Sequence, residues 1–136
     1  MKTATIRRIL VSVDFSSCSR AALVFACTLG AALDASIDVL FVGAGSDAEP
    51  SSSAAAKEEL HQFIGTVPES RALTIQEHVV SGDPRERIVS MAERDGFDLV
   101  VLGTHGRTGR PRSLAGSVAE SVVRTSACPV VTVRES

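Results

Sequence analysis

Short apolar runs alternate with stretches of helical spacing from one end of the chain to the other, and this alternation restricts the fold more than any single motif. Ile6 to Val13 reads as a strand in which Ile9, Leu10, Val11 and Val13 form a near-continuous apolar run. Runs of that kind suit strands buried on both faces of a parallel sheet. Ile37 to Val42, Leu73 to Val80, Asp98 to Leu102 and Pro129 to Val133 read as four more strands; the third is the weakest, because Gln76, Glu77 and His78 interrupt it.

Between the strands lie four helical patterns. The first is capped by Ser16 or Ser17 and carries Ala22, Phe25, Ala26, Leu29 and Leu33 at helical spacing, with Asp34 as its stop. The second runs from Ala54 to Ile64, with Leu60, Phe63 and Ile64 on one side, after a polar loop from Asp47 to Ser53 that is expected to be mobile. The third has the best start signal: Asp83 as cap, Pro84 at the first position and Glu86 three residues after the cap. Its inner face is Ile88, Met91 and Ala92, and Gly96 ends it. The fourth runs from Ser117 to Thr125, with Val118, Val122 and Val123 inward. The order β-α-β-α-β-α-β-α-β implies an α/β fold, an open parallel five-stranded sheet with helices on both faces.

At 136 residues, with 44 % apolar and 22 % charged, the chain is expected to form one domain over residues 1–136. The net charge of −2 and the lack of Trp and Tyr point away from nucleic acid. No stretch is long enough to span a bilayer, and the basic start at Lys2, Arg7 and Arg8 leads into an apolar run that stops at Asp14, so neither membrane nor leader is expected and the cytoplasm is the expected location. The three cysteines, Cys18, Cys27 and Cys128, are odd in number and form no CxxC pair, which indicates neither a disulfide framework nor a zinc site.

Open parallel sheets bind ligands beyond the carboxyl ends of their strands, where strand order reverses. Two strand ends here carry suitable groups. Asp14 follows an apolar strand directly and precedes a helix; its carboxylate either contacts a ligand or metal, or caps the turn. The second is Gly103-Thr104-His105-Gly106, followed nine residues later by Gly116-Ser117 at a helix start. Glycines let backbone N–H groups approach phosphate oxygens, and a helix N-terminus favours an anion. The other reading is a flexible loop whose glycines serve turns. Arg107, Arg110 and Arg112 either clamp a polyphosphate or are solvated. His105 lacks an adjacent group to orient it as a base, and Cys18 is expected to be an inert thiol. His61 and His78 have no metal-ligand partners at useful spacing. No GxxxxGK[ST] and no GxGxxG after the first strand are present, which excludes a P-loop and argues against a dinucleotide fold.

These segments resemble the universal stress proteins. Ile9 to Ser16 resembles their first strand, Val80-Ser81-Gly82-Asp83-Pro84 their G-x-P turn, Asp98 to Arg107 their fourth strand and loop, and Gly116 to Glu120 with Cys128 to Val131 the rest. The resemblance is weakest from Gly43 to Leu73. Gly103, Gly106, Gly116 and Ser117 reproduce the spacing G-x2-G-x9-G-[S/T] of the family's ATP-binding members. The resemblance implies strand order 3-2-1-4-5 and a pocket for ATP, with or without Mg²⁺. By it, Asp14 and Val42 line the adenine and ribose, Val13 and Leu102 flank the base, and Gly103, Gly106, Gly116, Ser117 and Val118 hold ribose and phosphates. Ser12, His105 and Arg107 complete the expected site. It also implies a homodimer through Pro129 to Val133. Two departures are Ser12, where some binders have proline, and the basic Arg110-Pro111-Arg112. The leading expectation is an ATP-binding regulatory module in which bound ATP orders the loop from Gly103 to Gly116 and alters a surface presented to an unidentified protein partner or across the dimer. The alternatives are a slow ATPase or phosphoryl-transfer enzyme, for which no base is visible, and a dimeric interaction protein that uses no nucleotide.

Overall fold

The computed structural model describes residues 5–43, 50–105 and 116–135, with the backbone alone described for 50–53. Five strands, β1 (Arg8–Val13), β2 (Ser36–Gly43), β3 (Ile75–Ser81), β4 (Leu99–Gly103) and β5 (Val130–Val133), alternate with α1 (Ser17–Leu33), α2 (Pro50–Gly65), α3 (Pro84–Arg94) and α4 (Ser117–Thr125). They form one parallel sheet in the order β3-β2-β1-β4-β5. The expected α/β architecture and strand order are both present.

Strand alternation divides the apolar residues between two cores. Ile9, Val11, Val13, Ile37, Val39, Leu99 and Val101 face α1 and α2, where they meet Leu23, Ala26, Cys27, Leu60, Phe63 and Ile64. Leu10, Leu40, Val100 and Leu102 face α3 and α4, where they meet Ile88, Met91, Ala92, Ala119 and Val122. Both faces are covered because the chain moves one way from β1 to β3 and then crosses back over the sheet to β4 and β5.

Helix ends follow their local chemistry. Ser16 caps α1 by accepting from the Ser19 N–H, and Asp34 ends it at φ 55°. Asp83 caps α3 by accepting from the Arg85 N–H, and the Arg85 guanidinium holds the Asp83 carboxyl below its ordinary range. Three expectations need correction. The buried side of α1 is Cys18, Ser19, Ala22, Leu23, Ala26, Cys27 and Gly30, whereas Phe25 and Leu33 are 40 % and 45 % exposed. Small residues let this helix sit close to the sheet: a Cβ on Gly30 would lie 2.8 Å from Ile37 Cδ1. Val123 is 53 % exposed, since only Val122 and Ala119 of α4 point fully inward. Lastly, α2 begins at Pro50, inside the segment read as a polar loop, because proline suits a helix start; positions 44–49 lie outside the described residues.

One polar pair interrupts the α3/α4 core. Asp38 is 5 % exposed in β2, and its Oδ2 lies 2.7 Å from His78 Nε2 on β3. The polar interruption in the third strand thus supplies a partner for a buried carboxylate. His78→Ala is expected to lower the unfolding free energy by about 2–3 kcal/mol, because it strands that charge. Asp38→Asn in the same background is expected to restore part of the loss in urea denaturation. A double variant no more stable than His78→Ala contradicts the pairing.

Candidate functional site

The reversal of strand order falls between β1 and β4, whose registers place Ser12 opposite Leu102. Beyond β1 the chain makes a tight turn. Asp14 Oδ1 accepts from the Ser16 N–H at 3.1 Å, and the Asp14 N–H donates to Ser19 Oγ at 3.3 Å. Phe15 takes φ 67°, an uncommon backbone state for a residue with a side chain. Its ring is held 4.5 Å from that of Phe41 and 5.5 Å from that of Phe63. Aromatic packing on the α1/α2 face thus offsets the backbone cost of the turn that follows Asp14. Capping of the helix itself falls to Ser16, and Asp14 caps the turn, the second of the two readings of this residue.

Beyond β4 the chain is closed into a neck. The Gly116 N–H donates to the Thr104 carbonyl, the Thr104 N–H donates to the Val133 carbonyl at 2.9 Å, and Thr104 is 4 % exposed. A Cβ on Gly116 would sit 2.9 Å from the Thr104 oxygen, and a Cβ on Gly103 would sit 2.9 Å from both the carbonyl carbon and Sγ of Cys18. Both glycines are therefore required by close packing of protein on protein. The Gly116 N–H is also committed to Thr104, so anion donors at this helix start must come from Ser117 onward. α4 has glycine at its N-cap and so no side-chain cap there, unlike α1 and α3, and no described residue accepts from the Ser117, Val118 or Ala119 amides of its first turn.

Alternation sorts the remaining candidates. Val42, Val80 and Val118 are partly exposed and pack with the buried Leu102 on the α3/α4 core. Ser12 shares that face of β1 with Leu10. Together they form a partly exposed apolar floor near the carboxyl ends of the strands, at the level where β1 leads into the Asp14 turn and α4 begins. Val13 is not part of it: its side chain is 3 % exposed in the α1/α2 core, so only its backbone can reach this face. His105 is present at the neck, with Nδ1 3.1 Å from Thr104 Oγ1, an orienting contact absent from the sequence reading. Gly106, Arg107, Arg110 and Arg112 lie outside the described residues. Val80 escaped the sequence reading as a floor residue; its cross-strand match to Val42 on β2 was the available signal.

The described His, Cys, Asp and Glu residues form no group of three or more that could hold a metal ion, and no described helix is long and apolar enough to cross a membrane. Cys18 Sγ donates to the Val133 carbonyl at 3.2 Å and lies 3.6 Å from Thr104 Oγ1, which ties α1 to the neck and to β5.

The pattern of the universal stress protein family matches residues 5–134. The chain belongs to the universal stress protein family. A universal stress protein of Methanocaldococcus jannaschii is 33 % identical over 140 residues, covering 95 % of this chain and 82 % of that protein. Universal stress protein UspA from Lactobacillus plantarum has a similar structure, with a TM-score of 0.82 at 26 % identity over 97 % of this chain and 100 % of that one. Two further structures share the fold. One is a universal stress protein in complex with cAMP, with a TM-score of 0.78 at 24 % identity over 98 % of this chain and 100 % of that one. The other is the Archaeoglobus fulgidus universal stress protein in complex with dAMP, with a TM-score of 0.72 at 21 % identity over 96 % and 99 %.

Two predictions follow from the packing. Gly103→Ala and Gly116→Ala should each cost about 1–3 kcal/mol of stability, read by denaturant unfolding, because backbone must move in both cases. Burial, reinforced by Glu69, pushes the Cys27 thiol up to about 11. An unfolded chain ionises this thiol near its ordinary value, so stability is expected to fall between about pH 9 and 11 as the unfolded state loses its proton first. Cys27→Ala should flatten that part of the stability profile; an unchanged slope would count against the shift.

Proposed function

We propose that this chain binds an adenine nucleotide, ATP by preference, on the floor formed by Val42, Val80, Leu102 and Val118. One observation carries the reading: at the reversal of strand order, a partly exposed apolar floor, a carboxylate in a tight turn and a helix start without a side-chain cap lie at neighbouring strand ends. These three features match the three parts of a nucleotide. The planar base needs apolar contact, the sugar hydroxyls or exocyclic amine need an acceptor such as Asp14, and phosphates need amide donors such as those of Ser117 and Val118. In this reading, the Ser117 hydroxyl adds a donor, Ser12 and the backbone of Val13 border the base, Gly103, Gly116 and His105 stand at the neck, Gly106 and Arg107, outside the described residues, keep the ligand contacts that the family resemblance implies, and Mg²⁺ would accompany the nucleotide. The complexes of related folds with cAMP and dAMP support the choice of adenylate.

The role is regulatory, in the cytoplasm. Thr104 connects the neck to Val133, so nucleotide at the neck bears on the edge strand β5, which in this proposal pairs with a second copy of the chain or a protein partner.

Calorimetric titration with ATP, ADP and AMP tests the reading. Saturable binding is expected, and Asp14→Asn, which keeps an acceptor for the Ser16 N–H, should weaken it roughly tenfold without lowering thermal stability. Absence of saturable heat with all three nucleotides at millimolar concentration would reject it.

A further inference from the structure

We infer that the Ser12 hydroxyl is a specificity-determining contact of the floor, taking a hydrogen-bonding atom on the inserted edge of the base, a role that rests on the adenylate reading above. Leu10 lies in the α3/α4 core, and Val11 and Val13 lie in the α1/α2 core, so the Ser12 side chain stands on the floor side of β1. β1 is a central strand, paired with β2 on one side and β4 on the other. The sheet thus engages the Ser12 backbone and leaves the hydroxyl to meet a ligand.

Buried hydroxyls elsewhere in the chain are paired. Ser19 Oγ donates to the Ser16 carbonyl at 3.0 Å, Ser70 Oγ donates to the Ile64 and Val67 carbonyls at 3.1 and 2.7 Å, and Thr104 Oγ1 lies 3.1 Å from His105 Nδ1. Among the described residues, no buried side-chain nitrogen or oxygen lacks a partner, and none of these residues bonds the Ser12 hydroxyl. Its oxygen is therefore not sealed within the core, in keeping with the partial exposure of Ser12 between the buried Val11 and Val13. Leu40 and Leu102 stand opposite it on β2 and β4, and both are buried. A serine between two leucines makes a low point in the floor, with a hydroxyl at its base.

Depth decides which part of a nucleotide reaches this point. Val42 lies one pleat beyond Leu40 on β2, so Ser12 is roughly 7 Å further from the strand ends than Val42. Phosphates belong with solvent and the start of α4, whereas the base is the flat, apolar part that passes over Val42 and Val118. Its leading edge then meets Ser12. A hydroxyl both donates and accepts, so it pairs with a ring nitrogen or with an exocyclic amine. A ligand that covers the hydroxyl without bonding it removes a hydrogen bond to water and supplies none, which discriminates against an apolar edge.

Calorimetric titration of ATP, AMP and 2′-deoxy-ATP against the wild type and Ser12→Ala tests the contact. A hydrogen bond to the base edge predicts the same loss, roughly three- to tenfold, for all three ligands in Ser12→Ala. Thermal stability should be unchanged, because the hydroxyl has no partner among the described residues. A loss that grows with the number of phosphates, or that vanishes with 2′-deoxy-ATP, would move the contact to the phosphates or the sugar and overturn the assignment. Equal or tighter binding by Ser12→Ala would show that nothing polar meets the hydroxyl, and a clearly lowered Tm would show that it bonds within the protein; either result overturns the assignment. If the wild type itself binds none of the three, the adenylate reading falls and this assignment falls with it; binding by the wild type with no effect of Ser12→Ala rejects Ser12 alone.

Discussion

The parallel pairing of β1 with β4 is the constraint on which the rest of the arrangement depends. It joins strands far apart in sequence and is fixed at its base by Asp98, whose Oδ2 accepts from the Arg7 and Arg8 N–H groups at 2.9 and 3.0 Å while its own N–H donates to the Arg8 carbonyl. With the base fixed, the register carries Ser12 to Leu102 at the far end. The two chains then leave the sheet side by side, one into the Asp14 turn under α1 and the other into the neck before α4. Their helices lie on opposite faces, so nothing in the sheet itself closes the space between the strand ends.

The architecture was legible because two periods alternate along the sequence and a parallel sheet leaves few ways to connect them. The misreadings arose where hydrophobicity and contact part company. Phe25 and Leu33 are larger and more apolar than Ala22, Cys27 or Gly30, yet the small residues face the sheet, because close approach of α1 to Ile37 leaves no room for large ones. The short 3-10 helix at Pro68–Ala72 also went unread: it is held by Ser70 Oγ, which donates to the Ile64 and Val67 carbonyls, an arrangement with no periodic signal. His78 looked like a defect in a strand, and its reason lies on another strand, at Asp38.

The candidate site divides in a similar way. Period-two alternation placed Ser12, Val42 and Leu102 on one face and carried Val13 to the other, something a list of positions near strand ends does not separate. The glycine spacing was legible, but its physical basis was only half stated. Gly103 and Gly116 were read for their openness to a ligand, whereas each is already in contact with protein, at Cys18 and at Thr104. A spacing motif can thus mark a packed neck as well as a cradle. Val80 takes its place beside Val42 through cross-strand register.

Thr104 draws these threads together. Its carbonyl receives the Gly116 N–H, its N–H reaches Val133, and its hydroxyl lies near Cys18 Sγ and His105 Nδ1. Cys18 in turn donates to the same Val133 carbonyl. The neck, the first turn of α1 and the end of β5 therefore share one small set of hydrogen bonds in a buried environment, where an unmade bond costs more than it does in water. A displacement of the Thr104 backbone strains the Gly116 and Val133 bonds at once. Close packing of Gly103 against Cys18 removes the slack that would let the neck move alone. An effect at the start of α4 consequently has a short, stiff route to the edge strand, made of backbone rather than of flexible side chains.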